Sequence, residues 1–118
     1  MLDTRLSIRI DLSSGDRIGP GKIALLEAIA KSGSISAAAR SLEMSYRRAW
    51  LLVEEINNAL REPAITAATG GRYGGGAVLT PIGKEIVTHY RAIETRAKKS
   101  ANVEFRALER LMRRKGRR

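Results

Sequence analysis

GSISAAARSLEMSYRRAWLLVEEINNALR, residues 33–61, decides the fold of this 118-residue chain. Ile35, Ala38, Ala39 and Leu42 recur at i, i+3, i+4 and i+7, and Ala49, Val53, Ile56 and Leu60 keep the same 3.6-residue period further on. The spacing predicts two helices, each with one buried face. Only Glu43, Met44 and Ser45 separate them, and so short a connection makes the helices cross steeply with Met44 filling the corner. Ala37, Ala38 and Ala39 let the two backbones approach closely. Ser36 is expected to cap the first of these helices and Ser45 the second, each hydroxyl accepting from a backbone amide two or three residues on. The pattern is that of a helix-turn-helix.

Upstream, Leu6, Ile8, Ile10 and Leu12 alternate with Arg5, Ser7, Arg9 and Asp11, which predicts a half-buried strand ended by Ser13, Ser14, Gly15 and Asp16. Its partner is left open: the wing sheet, or a second copy of the chain. A helix then runs from near Pro20 to Gly33, with Leu25, Leu26 and Ile29 as its apolar stripe. Downstream, Pro63 closes the second helix of the central pair, because it bars Glu62 from αR and cannot donate to the ladder. Two short β-capable segments, Ala64–Thr69 and Ala77–Thr80, flank Gly70–Gly76 and predict a hairpin. A hairpin placed directly after a helix-turn-helix is a wing.

Thr80 and Pro81 form an N-cap and N1 pair that launches a fourth helix. Its apolar positions run Ile82, Ile86, Tyr90, Ile93, Ala97, Ala101, Phe105, Leu108 and Met112. Unbroken, these 31 residues would span roughly 46 Å. So long a helix projects past the core and exposes Phe105, Leu108, Leu111 and Met112 unless another surface covers them. Homodimerisation through this helix is the simplest cover, and packing on the chain's own amino-terminal strand is the alternative. The fold class expected is mainly α with a small β wing: a winged helix-turn-helix with a long carboxy-terminal dimerisation helix. Residues 1–112 form that domain, and 113–118 form a basic tail.

Composition bounds the chemistry. The absence of Cys excludes thiol catalysis, disulfides and Cys-ligated zinc. No uncharged run approaches the ~18 residues needed to span a bilayer, so a soluble cytoplasmic protein without membrane contact is expected. Net charge is +10, and eight of those charges fall in residues 81–118, where twelve basic residues face four acidic ones. Such a balance by itself points to a polyanionic partner or a membrane surface. The tail, with Arg113, Arg114, Lys115, Arg117 and Arg118, is either a solvated end or an arm that tracks phosphates.

A recognition helix enters the major groove of double-stranded DNA and reads base edges with its amino-terminal turns. Ser45, Tyr46, Arg47 and Arg48 occupy that end. A helical wheel with its core axis through Ala49, Val53, Ile56 and Leu60 puts Arg47 almost opposite the core and Arg48 to one side. Arg47 is expected to contact a base, bidentate to guanine; Ser45, Tyr46 and Arg48 suit backbone phosphates better. Glu54 and Glu55 limit the close approach to the first two turns. Ser36, Arg72, Tyr73, Arg113 and Arg114 complete the expected DNA-contacting set. The glycine loop either lets Arg72 and Tyr73 reach a sugar-phosphate edge or the minor groove, or merely permits a tight hairpin. Trp50 is expected as a core plug with a partnered indole N–H.

The glycine loop is neither a Walker A loop nor a dinucleotide fingerprint, since no Lys followed by Ser or Thr comes after it and it opens no helix. His89, the only histidine, is accompanied by no nucleophile or metal cluster. No catalytic, cofactor-binding or metal residues are expected, and the chain is not read as an enzyme.

GSISAAARSLEMSYRRAWLLVEEIN from Gly33 to Asn57, with ATGGRYGGGAVLTPIG from Ala68 to Gly83, resembles the amino-terminal winged-helix domain of ModE-type molybdate-responsive regulators, and more distantly the DNA-binding domains of LysR-type regulators. The resemblance covers roughly residues 5–110. It implies a dimer held by the first and last helices, with Leu25, Ile29, Ile93, Ala97, Phe105, Leu108 and Met112 at the interface and two recognition helices in successive major grooves. It also implies transcriptional control of molybdenum uptake or molybdoenzyme genes. Regulators of that family usually continue into oxyanion-binding domains for which this sequence has no counterpart, so molybdate or tungstate binding by this chain is not expected. Two further readings stay open: an architectural, largely sequence-independent DNA-binding protein, and a winged-helix module that binds other proteins.

Overall fold

The computed structural model describes residues 4–68 and 76–113. In chain order these form β1 (Ile10–Asp11), β2 (Arg17–Ile18), α1 (Pro20–Ser32), α2 (Ile35–Ser41), α3 (Tyr46–Ala59), β3 (Ile65–Ala68), β4 (Gly76–Leu79), α4 (Pro81–Ser100) and α5 (Asn102–Leu111). This is a mainly helical winged helix-turn-helix.

Helix α1 is the hub, packed against α2, α3, α4 and β4. Pro20 stands in its first turn, where a missing N–H costs nothing. Gly33 ends it in the left-handed region at φ 80° and donates its N–H to the Ile29 carbonyl at 2.8 Å. Ile23, Leu25, Leu26 and Ile29 are all enclosed at 1% exposure or less, each burial contributing about 1.5–3 kcal/mol. Leu25 and Ile29 therefore cannot serve a dimer interface. An apolar stripe facing a subunit partner and one facing the chain's own core look alike in sequence; here four elements of the same chain already cover it.

Gly33 turns the chain so that Ser34 is extended, and Ser34 rather than Ser36 caps α2, accepting from the Ala37 N–H at 3.0 Å. Ser36 lies inside the helix, where its Oγ accepts from Arg40 at 3.1 Å. The turn that follows is a Schellman motif: the Glu43 N–H reaches the Arg40 carbonyl and the Met44 N–H reaches the Ala39 carbonyl. Glu43 holds the left-handed position at φ 55°, which glycine usually fills. Met44 is half-buried against the core, as the corner requires. Ser45 caps α3 by accepting from the Arg48 N–H at 3.1 Å. Ala49, Val53 and Ile56 then face Ala38 and Ala39 within one core cluster.

Strands β3 and β4 pair antiparallel from Ile65↔Leu79 to Ala68↔Gly76, which establishes the hairpin; its tip, residues 69–75, lies outside the described residues. Thr80 locks the hairpin's base to α4. Its N–H donates to the Ala64 carbonyl at 2.9 Å, its hydroxyl donates to the Pro63 carbonyl at 2.7 Å, and that oxygen accepts from the Gly83 N–H at 3.2 Å. Gly83 is required there, since a Cβ would collide with the Ala64 carbonyl oxygen.

Two expectations change in extent. The alternation holds from Leu6 to Ile10, with Leu6, Ile8 and Ile10 partly buried and their neighbours exposed, but Leu12 is 43% exposed and only Ile10–Asp11 forms a strand. It pairs with Arg17–Ile18 across a Leu12–Asp16 turn, not with the wing. A ladder needs a partner, and the start of α1 at Pro20 leaves only two residues for one. The rest of the segment is held by the buried Tyr90, whose hydroxyl donates to the Ile8 carbonyl at 2.6 Å. Burial raises the Tyr90 pKa, and the Glu94 carboxylate adds to the rise. The long terminal helix is broken at Ala101 (φ −100°, ψ 13°), separating α4 from α5. Ser100 and Asn102 flank the break, and both compete locally with helical hydrogen bonding.

Replacing Glu43 with Gly removes the left-handed penalty at the helix turn. Glu43→Gly should raise stability by about 0.5–1 kcal/mol, an upward shift of a few degrees in thermal unfolding. A downward shift would show that the Glu43 side chain contributes more than its backbone costs.

Candidate nucleic-acid interface

The first turn of α3 is an exposed cationic tip. Ser45, Tyr46, Arg47 and Arg48 are all exposed, and no acidic residue occupies that turn. The free amides of a helix start carry partial positive charge, to which the two guanidinium groups add. Among the described residues neither Arg47 nor Arg48 takes part in an ion pair. Both stand ready for an external anion. Further along, Glu55 is drawn toward α1 by Lys22 at 3.6 Å. The second half of α3 thus directs one of its two carboxylates away from the tip.

Trp50 departs from expectation. It is 44% exposed, not a core plug. With Ala49 and Val53 pointing into the core, residue 50 is rotated about 100° off the buried axis, toward the hairpin. There it lines a groove with Ile35, Ser36, Tyr46, Thr66 and Ala77.

The hairpin is fixed to this tip by Asn57, which the sequence reading passed over. Its Oδ1 accepts from the Ala64 N–H at 2.8 Å and the Ile65 N–H at 3.1 Å, while its Nδ2 donates to the Ile65 carbonyl at 3.0 Å. The side chain serves as one more rung on the edge of β3. A second tie joins the Ala77 N–H to the Gly33 carbonyl at 2.8 Å, seating β4 on the corner between α1 and α2. Recognition helix and wing base are therefore a single rigid surface. The only trace of Asn57 in the sequence is a polar residue directly after the buried Ile56, a common enough pattern to carry no signal.

Of the other expected contacts, Arg72, Tyr73 and Arg114 lie outside the described residues, and Arg113 is exposed beyond α5. Ile93, Leu108 and Met112 are 44–63% exposed, Ala97 and Phe105 partly so, and Val103 and Leu111 exceed 70%. A tie missed in sequence braces the same helix: Arg91 forks onto Glu27 of α1 at 2.6 and 2.9 Å and also meets Glu94 at 2.6 Å. Hydrogen bonding from Arg91 lowers the Glu27 pKa, and the two carboxylates raise that of Arg91. His89 is exposed, 3.8 Å from Glu85. No cluster among the described residues suits a metal ion, and no helix among them is long and apolar enough to cross a membrane.

Known proteins share this arrangement. The family model for bacterial regulatory helix-turn-helix proteins, lysR family, matches residues 21–84, more than half of the chain. The molybdenum-pterin-binding protein MopB of Rhodobacter capsulatus is 53% identical over 81 residues, covering 69% of this chain and 30% of that protein. The molybdenum transport protein ModE of Azotobacter vinelandii is 42% identical over 96 residues, covering 80% and 36%. The DNA-binding transcriptional dual regulator ModE of Escherichia coli K12 is 44% identical over 71 residues, covering 60% and 27%. The chain thus spans about a third of the length of the curated relatives it matches. The solved CbnR_DBD–DNA complex has the same fold, with a TM-score of 0.58 at 20% identity over 75% of this chain and 95% of that one.

Removing the Asn57 carboxamide strands the Ala64 and Ile65 amides, both buried. Asn57→Ala should cost about 3 kcal/mol in urea unfolding, and Asn57→Asp should fall between it and the parent, keeping the acceptor but setting a carboxylate against the Ile65 carbonyl. A cost for Asn57→Ala below about 1 kcal/mol would mean that water replaces the clamp.

Proposed function

The chain belongs to the lysR family of bacterial regulatory helix-turn-helix proteins, and from that premise we propose that it is a non-enzymatic, cytoplasmic transcription regulator that binds double-stranded DNA sequence-specifically as a homodimer. The observation that carries the reading is the exposed cationic first turn of α3, held rigidly beside a wing. Arg47, opposite the buried face, reads a base in the major groove; Ser45, Tyr46 and Arg48 hold the backbone on either side. Ser36, the wing residues Arg72 and Tyr73, and the tail residues Arg113 and Arg114 add contacts to phosphate or sugar. The names of its ModE and Mop relatives support a role in genes of molybdenum uptake or molybdoenzymes.

The dimer forms through α4 and α5. Ile93 and Ala97 on α4, Phe105 and Leu108 on α5 and Met112 just after it are not fully covered by any of the described residues, and α5 buries none of its residues. An uncovered apolar stripe of this kind is best explained by its own copy across a twofold axis. Two recognition tips on one twofold axis would meet a palindromic site in successive major grooves.

Selection of bound genomic fragments, followed by mobility-shift titration, tests the DNA reading. Arg47→Ala should weaken binding to the selected site by ~1–3 kcal/mol while affecting random DNA less. Equal losses on both would refute base reading and favour an architectural, sequence-independent binder. For the dimer, Leu108→Glu together with Leu111→Glu should convert the protein to a monomer in sedimentation equilibrium without loss of helicity. A dimer that survives both substitutions would place the interface elsewhere.

A further inference from the structure

We infer that the groove between α3 and the wing base seats one sugar-phosphate strand of duplex DNA, with Trp50 as its apolar floor and Arg40 as a phosphate contact. This deepens the DNA-binding reading above and rests on it. Trp50 and Tyr46 lie four residues apart on α3, so they stand on one helix face, and they are 44% and 57% exposed. Both line this groove, with Ile35 and Ala77 extending the apolar floor and Ser36 and Thr66 supplying hydroxyls. The cation at the rim is positioned rather than loose. Arg40 is not itself in the lining but donates from Nη1 at 3.1 Å to the oxygen of Ser36, which is, and this restrains its guanidinium beside Ser36 with other N–H donors left for an anion.

That combination selects the occupant. The groove's lining contains no carboxylate, and a flat aromatic floor beside hydroxyls and a fixed guanidinium matches the alternation of apolar deoxyribose and charged phosphate along a DNA strand. A buried apolar peptide from a partner protein would leave the guanidinium and hydroxyls desolvated without acceptors. The groove is also continuous with the cationic tip, since Tyr46 belongs to both. A strand leaving the major groove at Arg47 would pass directly over it. Contacts of this type carry no sequence information, so Trp50 and Arg40 should strengthen binding to any duplex. Arg47 does the discriminating.

Trp50 is the only tryptophan in the chain, so its emission reports this groove alone. Titrating the intact protein with either the selected or a random duplex should quench Trp50 emission in step with the mobility shift, and added salt should reverse both. Trp50→Ala should weaken binding to the two duplexes alike by about three- to tenfold, and Trp50→Phe should restore most of the loss. Arg40→Gln should lower the slope of log affinity against log salt by roughly one. Unchanged emission with DNA shown to be bound, or unchanged affinity of Trp50→Ala, overturns this inference and leaves the regulator reading standing. Emission that shifts with protein concentration and not with DNA also overturns it, marking the groove as a contact between copies. Failure to bind any duplex overturns both readings together.

Discussion

Three hydrogen bonds from one carboxamide hold the α3 tip and the wing base together. Asn57 stands in the last turn of α3 and completes the edge of β3 at Ala64 and Ile65. Helix and hairpin have no common ladder, and a side chain that mimics a peptide group is the cheapest way to join them without an exposed strand edge. The position of Trp50 follows from that junction. Because the hairpin is drawn against α3, residues one step off the buried axis meet β3 and β4 across a groove instead of open solvent.

Rigidity continues inward through small residues. Ala38, Ala39 and Ala49 are buried to within 2%, and alanines at a crossing let two helices approach until their backbones nearly touch. The corner between them uses a glutamate where glycine would be easier, but the Schellman hydrogen bonds fix the angle regardless. On the other side of α1, Thr80 and Gly83 press the start of α4 onto Ala64 with no room for a Cβ. The recognition tip is thus referenced to α4 through a short sequence of tight contacts. A fixed path of that kind is what a twofold assembly on DNA needs, since the distance between two tips must match the pitch of the duplex.

Charge is placed as economically. The cations of the α3 tip take part in no ion pair among the described residues, whereas Lys22 meets Glu55, and Arg91 meets Glu27 and Glu94. The Arg91 fork ties α4 to α1 on a partly exposed surface, where it adds orientation more than stability. Arg40 is intermediate between these cases, held by a neutral hydroxyl that restrains it without neutralising it.

Periodicity specified the first three helices and the start of the fourth, because a 3.6-residue apolar repeat, a Pro at a helix start and a Gly after a helix end act within one turn of chain; the break at Ala101 that divides α4 from α5 was not legible. The exposure of Arg47 and Arg48 was legible for the same reason: a wheel angle is a local quantity. Partners distant in sequence were not legible. Leu25 and Ile29 were placed at a dimer interface by resemblance, because the helix that carries them does not reveal which neighbours will cover its apolar stripe. Trp50 read as core because its hydrophobicity says nothing of a hairpin laid beside it, and Asn57 was silent because its three partners lie seven and eight residues on, across a turn. The chain's local chemistry wrote most of the elements, though Ser34 and not Ser36 caps α2 and the first strand keeps only Ile10–Asp11. Which apolar faces found cover, and which were left exposed, depended on packing between elements, a sum over contacts that no single segment contains.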